Sequence, residues 1–332
     1  MRLATYNVEW FANLFDDGDR LIVDDGWSGR QDVTRVAQIE ALGKVFTALD
    51  ADAVMVIEAP NTGRRQNTVR ALEGFARAFD LRTRAAVMGF ANETHQEIAL
   101  LYDPDAMRAE HDPKGEDDRA APRFDGVFRI DLDIDATEDL VRFSKPPLEL
   151  AVTTAAGTRL RMIGAHLKSK APHGSGGRDA MLRLSIANRR KQLAQAVWLR
   201  ARISRHLDAG EPVILMGDLN DGPGLDEFEH LFGRSSVEIL LGGDMYDPHA
   251  RQALQPRPGT VPTSARFRLP RQGRYLQALL DYVMISQGLM ARRPSWRIWH
   301  PFDDVGCWQM PELREALLDA SDHFPVSLEI DI

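Results

Sequence analysis

The chain has 332 residues, 44% hydrophobic and 27% charged, a length that admits one large α/β domain or two smaller ones. Its 41 Lys and Arg against 49 Asp and Glu leave a net charge of −8, which disfavours a surface coated for non-specific nucleic-acid binding but leaves room for a local basic groove. The single cysteine, Cys307, excludes a disulfide framework and a thiolate zinc site. No apolar run reaches the ~18 residues of a membrane span, and Met1-Arg2-Leu3 opens without a secretory signal core. A cytoplasmic location with no obligate protein partner is the expectation.

Leu3–Trp10 reads as a first strand carrying Asn7, followed by an acidic, Gly-containing loop, Phe11–Gly29. Its Asp16-Asp17-Gly18-Asp19 lacks calcium-loop spacing and is a solvated loop. Gln31–Leu49 places Val36, Ile39, Leu42, Phe46 and Leu49 at helical spacing. The apolar strand Ala53–Ile57 ends on Glu58, and a second amphipathic helix follows around Thr68–Phe79. Glu97–Tyr102 is another strand; the charged, Pro-containing Asp103–Arg123 is expected to be an exposed excursion. Val127–Ile134, Pro147–Thr154 and Arg159–Ala165 read as strands, the last running into His166-Leu167-Lys168-Ser169-Lys170. A loop at Ala171–Gly177 leads into one long helix, Arg178–Leu207. The buried run Pro212–Met216 then delivers Gly217-Asp218-Leu219-Asn220-Asp221, in which Asp218 and Asn220, two residues apart, point to one side of the chain. Asp281 lies within the strand Leu279–Ile285, and Ser321-Asp322-His323 precedes a last strand alternating Phe324, Val326, Leu328 and Ile330.

No repeat, low-complexity tract or linker interrupts the chain. Blocks of mixed strands separated by helices predict two sheets packed face to face with helices outside. The polar outcrops run from residue 7 to residue 323, which argues for a single domain over 1–332. Singly, each outcrop has a bland reading: Asn7 as a turn residue, Glu58 as a solvated strand end, His166 as a core histidine, Ser321-Asp322-His323 as a turn. Asp281, flanked by apolar and aromatic neighbours, is harder to dismiss, because a buried charge needs a partner or a metal. Jointly, nearly every expected strand ends in a metal-capable or proton-capable group, as sites in open α/β folds do. Oxygen donors without cysteine suit a hard cation, Mg²⁺ or Mn²⁺, better than zinc.

Thr5-Tyr6-Asn7-Val8-Glu9-Trp10, Val56-Ile57-Glu58, Gly164-Ala165-His166-Leu167, Gly217-Asp218-Leu219-Asn220-Asp221, Leu280-Asp281-Tyr282-Val283 and Ser321-Asp322-His323-Phe324-Pro325-Val326 occur in the order of the motifs of the endonuclease/exonuclease/phosphatase superfamily. The sequence resembles that family along almost its whole length, most of all bacterial nuclease-like members. The resemblance implies a four-layer αββα sandwich of two mixed β-sheets and Mg²⁺-dependent phosphoester hydrolysis. It implies Glu58 as the main metal ligand with Asn7 beside it, and Asp322 near His323 or the metal. Asp218 would orient or deprotonate the attacking water, and Asn220 would bond the phosphate or the nucleophile. His323, its ring fixed by Asp281, would stabilise the transition state or act as the acid–base partner, and His166 would contact a non-bridging phosphoryl oxygen or assist the leaving group. One departure is Ile57, where family members often carry Gln before the metal-binding Glu.

The expected substrate is a phosphoester, with a nucleic-acid backbone first. Lys168 and Lys170 follow His166 at period 2, and Arg189, Arg190 and Gln192 resemble an Arg-x-x-Gln element of the family. Arg142, Lys145, Arg266, Arg268, Arg271 and Arg274 add charge near site-side loops; Lys168, Lys170, Arg189 and Arg266 are the leading substrate contacts. Trp296, Trp299, Phe302 and Trp308 could stack on bases, dip into lipid, or simply pack. The alternatives are a phosphatase or a sphingomyelinase-like phospholipid diesterase, and a catalytically silent binding module. No long apolar hairpin or inositol-phosphatase signature is visible, and every expected site residue is present.

Overall fold

The computed structural model describes residues 1–131, 138–171, 177–222, 233–255, 261–269 and 273–332. In chain order the elements are β1 (Arg2–Asn7), α1 (Arg35–Leu49), β2 (Ala53–Ala59), α2 (Thr68–Ala78), β3 (Ala85–Met88), β4 (Glu97–Tyr102), β5 (Met107–His111), β6 (Phe128–Ile130), β7 (Asp139–Val141), β8 (Leu148–Thr154) and β9 (Arg159–His166). They continue with α3 (Arg178–Asp208), β10 (Val213–Asp218), α4 (Ser236–Leu241), β11 (Met245–Tyr246), α5 (Pro248–Ala253), β12 (Ala265–Leu269), β13 (Arg274–Ala278), β14 (Asp281–Ser286), β15 (Ser295–Ile298), α6 (Val305–Gln309), α7 (Pro311–Ala320) and β16 (Val326–Glu329).

The strands form two six-stranded sheets, ordered β15-β16-β1-β2-β4-β3 and β11-β14-β10-β9-β8-β5. Each contains one parallel pair, β1 with β2 and β9 with β10, flanked by antiparallel neighbours. A parallel pair needs a crossover, and α1 and α3 supply the two. Period-2 alternation then sorts the side chains into three cores. Leu3, Met55, Ile57, Met162, Ile214, Met216, Val283 and Val326 meet between the sheets. Tyr6, Val54 and Val56 face out against Leu42 and Phe46 of α1, Phe75 of α2 and Leu317 of α7. Val213, Leu215 and Tyr282 face Trp198, Leu199 and Ile203 of α3 and Leu240 of α4. The result is the expected α/β sandwich in four layers.

Local chemistry fixes the helix starts. Thr34 Oγ1 accepts from Ala37 N at 3.3 Å, so α1 begins at Arg35 rather than at Gln31. Asn67 caps α2 through Arg70 N at 2.9 Å. Between the sheets, Gly164 is required by close approach: a Cβ there would lie 2.4 Å from Met55 Sδ and 2.9 Å from Ile98.

Several expectations need correction. β1 ends at Asn7, because Trp10 turns into the left-handed region at φ 59°. Asp103–Arg123 is no simple excursion: β5 lies within it, pairs with β8 and buries Met107 in the inter-sheet core. The segment after β5 is anchored to α3, where the Arg202 guanidinium donates to the carbonyls of Lys114 and Ala121, and Trp198 Nε1 to that of Pro122 at 2.7 Å. Of the strand expected over 127–134, Phe128–Ile130 forms and 132–137 lie outside the described residues, as do 172–176 of the loop before α3. β3, the β12–β13 hairpin, β15 and the short helices α4 to α7 were not foreseen.

Candidate active site

The two sheets place their polar residues at one rim. Asn7, Glu58, His166 and Asp218 stand at or next to the C-terminal ends of the four parallel strands; Asp281 opens β14, and His323 lies just ahead of β16, both antiparallel. In β10 the inter-sheet parity of Ile214 and Met216 continues onto Asp218, and in β14 that of Ile285 and Val283 onto Asp281. Glu58 is the exception. Parity would send it toward the helices with Val56, but a bulge between Ile57 and Ala59 and a φ of 61° at Glu58 re-aim it into the site.

Two hydrogen bonds close the rim across the sheets: Asn7 Nδ2 donates to Asp218 Oδ2 at 3.0 Å, and His323 Nδ1 lies 2.8 Å from Asp281 Oδ2. Asp218 also accepts from Asn220 N at 2.7 Å and Asn220 Nδ2 at 3.2 Å. Gly217 makes this turn possible, since its φ is 138° and a Cβ would sit 2.0 Å from the Ala165 carbonyl oxygen. Ser264 Oγ donates to Asp281 Oδ2 at 2.8 Å while accepting from the amides of Leu280 and Asp281. Gln192 holds both site loops, donating to the carbonyls of Lys168 at 2.9 Å and Asn220 at 2.8 Å.

Asn7, Glu58, His166, Lys168, Lys170, Arg189, Asp218, Asn220, Asp322 and His323 line one cleft of about 910 Å³. Asp281 lies buried behind His323. Lys170 pairs with the buried Asp221, and Arg189 donates to the Ser185 carbonyl at 3.2 Å. Arg266 is not in this cleft; it borders a neighbouring hollow that shares Asp322 and Phe267 with it. Arg268 pairs with Asp32 and Arg190 with Asp139, and Arg271 lies outside the described residues. Of the four late aromatics, Trp299 is buried and Trp296 donates to the Val283 carbonyl, whereas Phe302 and Trp308 are exposed.

Sequence reasoning underrated Lys145 and missed Gln96, which donates to Glu58 Oε2 at 2.6 Å. It also missed the cleft's apolar wall, formed by Trp10 with Phe267, Leu269 and Leu276 of the β12–β13 hairpin. The signal was present in Ala265–Leu269, where Phe and Leu alternate with Arg at strand period.

The two histidines are held in opposite states. Burial disfavours charge on both. For His323 the carboxylates of Asp281, Asp218 and Asp322 outweigh burial and hold its pKa well above the ordinary value. For His166 the charges of Lys145, His323 and Lys168 add to burial and hold it well below. Burial pushes Asp218 up to about 7, against the pull of His323. Donor atoms of Asp218, Asp281 and His323 lie within 4.8 Å of one another, close enough for a cation. The protonated imidazole of His323 already balances that cluster. Glu58, Asn7 and Asp322 could hold a metal: the Asn7 Oδ1 acceptor is buried without a partner among the described residues, and burial, with the Glu58 charge adding to it, raises the pKa of Asp322.

A sequence model described as "Endonuclease/Exonuclease/phosphatase family" matches residues 4–323. No match was found among curated proteins. Among solved structures, TDP2 from C. elegans is similar at TM-score 0.51 and 12% identity, covering 100% of this chain and 75% of that one. The 3′ phosphatase NExo from Neisseria, bound to a product DNA hairpin, is similar at TM-score 0.50 and 13% identity over 100% of both chains. D. rerio TDP2 complexed with a single-strand DNA product has TM-score 0.50 and 12% identity, covering 99% of this chain and 98% of that one. At these identities the likeness is one of fold, and it is the DNase-I-like fold of the sandwich described above. Since the family's model spans residues 4–323, including every rim residue from Asn7 to His323, the chain belongs to the endonuclease/exonuclease/phosphatase family, whose chemistry is metal-dependent phosphoester hydrolysis.

Proposed function

We propose that the protein is a phosphodiesterase that cleaves a nucleic-acid backbone with Mg²⁺ or Mn²⁺. The observation that carries this reading is the two-sided cleft. Lys145, Lys168 and Arg189 line it as cations, and Trp10, Phe267, Leu269 and Leu276 as apolar surface. A nucleotide chain offers phosphates to the first set and bases to the second.

Glu58, Asn7 Oδ1 and Asp322 would hold the cation, which when bound neutralises charge on the phosphoryl oxygens. Asn7 links that locus to Asp218, because its Nδ2 donates to the carboxylate. Asp218 takes the proton from the attacking water, its burial making it a stronger base than an exposed carboxylate. Asn220 fixes the carboxylate's orientation through two bonds. His323, charged and pinned on Asp281, offers Nε2 to a phosphoryl oxygen, and charge-assisted bonds there strengthen as negative charge develops. His166 Nε2, 3.5 Å from Asp218 Oδ2, supplies a neutral donor on the opposite side.

A second reading, a phospholipid diesterase, draws on the hairpin, whose Leu276 is 46% exposed. A substrate panel separates the two. The protein is incubated with Mg²⁺ or Mn²⁺ and plasmid, abasic duplex, single-stranded DNA, single-stranded RNA, sphingomyelin or inositol phosphates. Metal-dependent cleavage of a polynucleotide is expected; turnover of lipid with no polynucleotide cleaved would overturn the nuclease reading.

A further inference from the structure

Beyond the cleft a strip of rings and guanidinium groups runs over the surface. The Arg266 Cζ lies 3.5 Å from the centroid of the Tyr275 ring and 5.1 Å from that of Phe302. Phe302 lies 6.2 Å from Trp308, and the Arg314 Cζ lies 4.8 Å from the Trp308 centroid. Tyr275, Phe302 and Trp308 are 48%, 38% and 51% exposed.

Most arginines that pack against aromatic rings elsewhere in the structure are also paired with acids. Arg297 lies over Trp299 but pairs with Asp304, and Arg123 over Phe90 but pairs with Asp125. Arg266 and Arg314 differ: among the described residues neither has a carboxylate at ion-pair distance, although Arg314 Nη1 donates to the Trp308 carbonyl at 3.3 Å. In a chain of net charge −8 such half-buried, unneutralised guanidinium groups are left for an acid from outside.

The strip begins at the active site. Arg266 N donates to the Asp322 carbonyl at 2.7 Å, and the next residue, Phe267, packs edge-on to the His323 ring at 5.5 Å. The hollow bordered by Arg266 and Tyr275 adjoins the cleft, Asp322 and Phe267 lining both.

We infer that Tyr275, Arg266, Phe302, Trp308 and Arg314 form a track for single-stranded polynucleotide leading away from the scissile phosphate. Rings and guanidinium planes accept bases of any sequence, and the unneutralised charges accept the phosphates between them. Duplex, with its bases stacked inside, cannot use such a track. The inference rests on the phosphodiesterase reading and narrows it to a strand several nucleotides long on one side of the cut.

The test is fluorescence anisotropy with end-labelled oligothymidylate and oligouridylate of about 4 and about 12 nucleotides, lengths that span a short and an extended site. EDTA is present to prevent cleavage. Wild type should bind the longer strand at least about tenfold more tightly, and F302A/W308A should abolish most of that difference. W308F should restore part of it, and matching melting temperatures establish that both variants fold. A wild type without length dependence, or a double variant that retains it, overturns the track. So does a double variant whose only change is in self-association, which would assign the strip to a protein contact. Hydrolysis of bis(4-nitrophenyl) phosphate with Mn²⁺ is measured in parallel. Its absence would overturn the phosphodiesterase reading itself, whereas its presence with no length dependence would remove only the track.

Discussion

Lys145 Nζ lies 3.1 Å from His166 Nδ1. An ammonium can only donate, so Nδ1 must accept, and the proton of the neutral ring sits on Nε2, facing Asp218. The same ammonium lies 3.4 Å from Glu58 Oε1, which ties the charge of one side of the site to the tautomer of the other. Nitrogen NMR of labelled histidine should show His166 neutral with its proton on Nε2. K145M should lose that tautomer preference and about 10²-fold in kcat, the scale of a lost electrostatic group. An unchanged tautomer in K145M would dissociate the two residues.

Asp218 and His323 occupy the centre of the rim, and neither is needed to fill the core. D218A and H323A should each lower phosphodiester turnover by on the order of 10²–10³ while leaving the fold intact. Steady-state kinetics alongside circular dichroism checks this. Near-wild-type turnover in either variant would remove that residue from the chemistry.

Gln96 lines the cleft and donates to the Glu58 carboxylate. Partners that orient a ligating group are commonly worth 10–100-fold in affinity, so Q96A should weaken Mn²⁺ binding by about that factor. Calorimetric titration of Mn²⁺ into the protein measures it directly. Equal affinity in Q96A would place the cation elsewhere, the Asp218–Asp281–His323 cluster being the other candidate.

Glu97 is fully buried, and burial pushes its pKa up to about 7 despite bonds from Thr62 N, Asn92 N and Asn92 Nδ2. A carboxyl whose folded pKa exceeds the unfolded one binds more protons when folded. Its contribution is therefore largest below the unfolded pKa near 4 and is lost as pH rises toward 7. Melting temperature should fall by a few degrees between about pH 5 and pH 8, and E97Q should flatten that fall. A fall of equal steepness in E97Q would assign it to other groups.

Much of the site was legible in the sequence because its residues sit at strand ends, where an apolar run stops at a polar residue. Asp218 after Met216 and Asp281 before Val283 are read by period alone. The same period misleads at Glu58, which the bulge rotates to the opposite face, and no local pattern announces that. Lys145 and Gln96 reach the site from segments with no motif of their own. The hairpin is hard to read because two arginines interrupt the apolar residues of the short Ala265–Leu269, although its alternation is that of a strand. The edge strand β5 is hard to read for a similar reason, Arg108 and Glu110 alternating with only two apolar positions that pack, Met107 and Ala109.

Asn7, Glu58 and His323 belong to one sheet, His166, Asp218 and Asp281 to the other. The thickness of the apolar layer between them therefore sets the spacing of the reacting groups. Gly164 is a point of close approach in that layer, where Met55 and Ile98 lie against bare backbone. A single methyl there, as in G164A, touches no functional atom yet acts as a wedge. It would lengthen the two bonds that join the sheets at the rim and shift every donor on one side relative to every acceptor on the other. The hydrophobic interior of this protein is in that sense a gauge block for the groups at the rim.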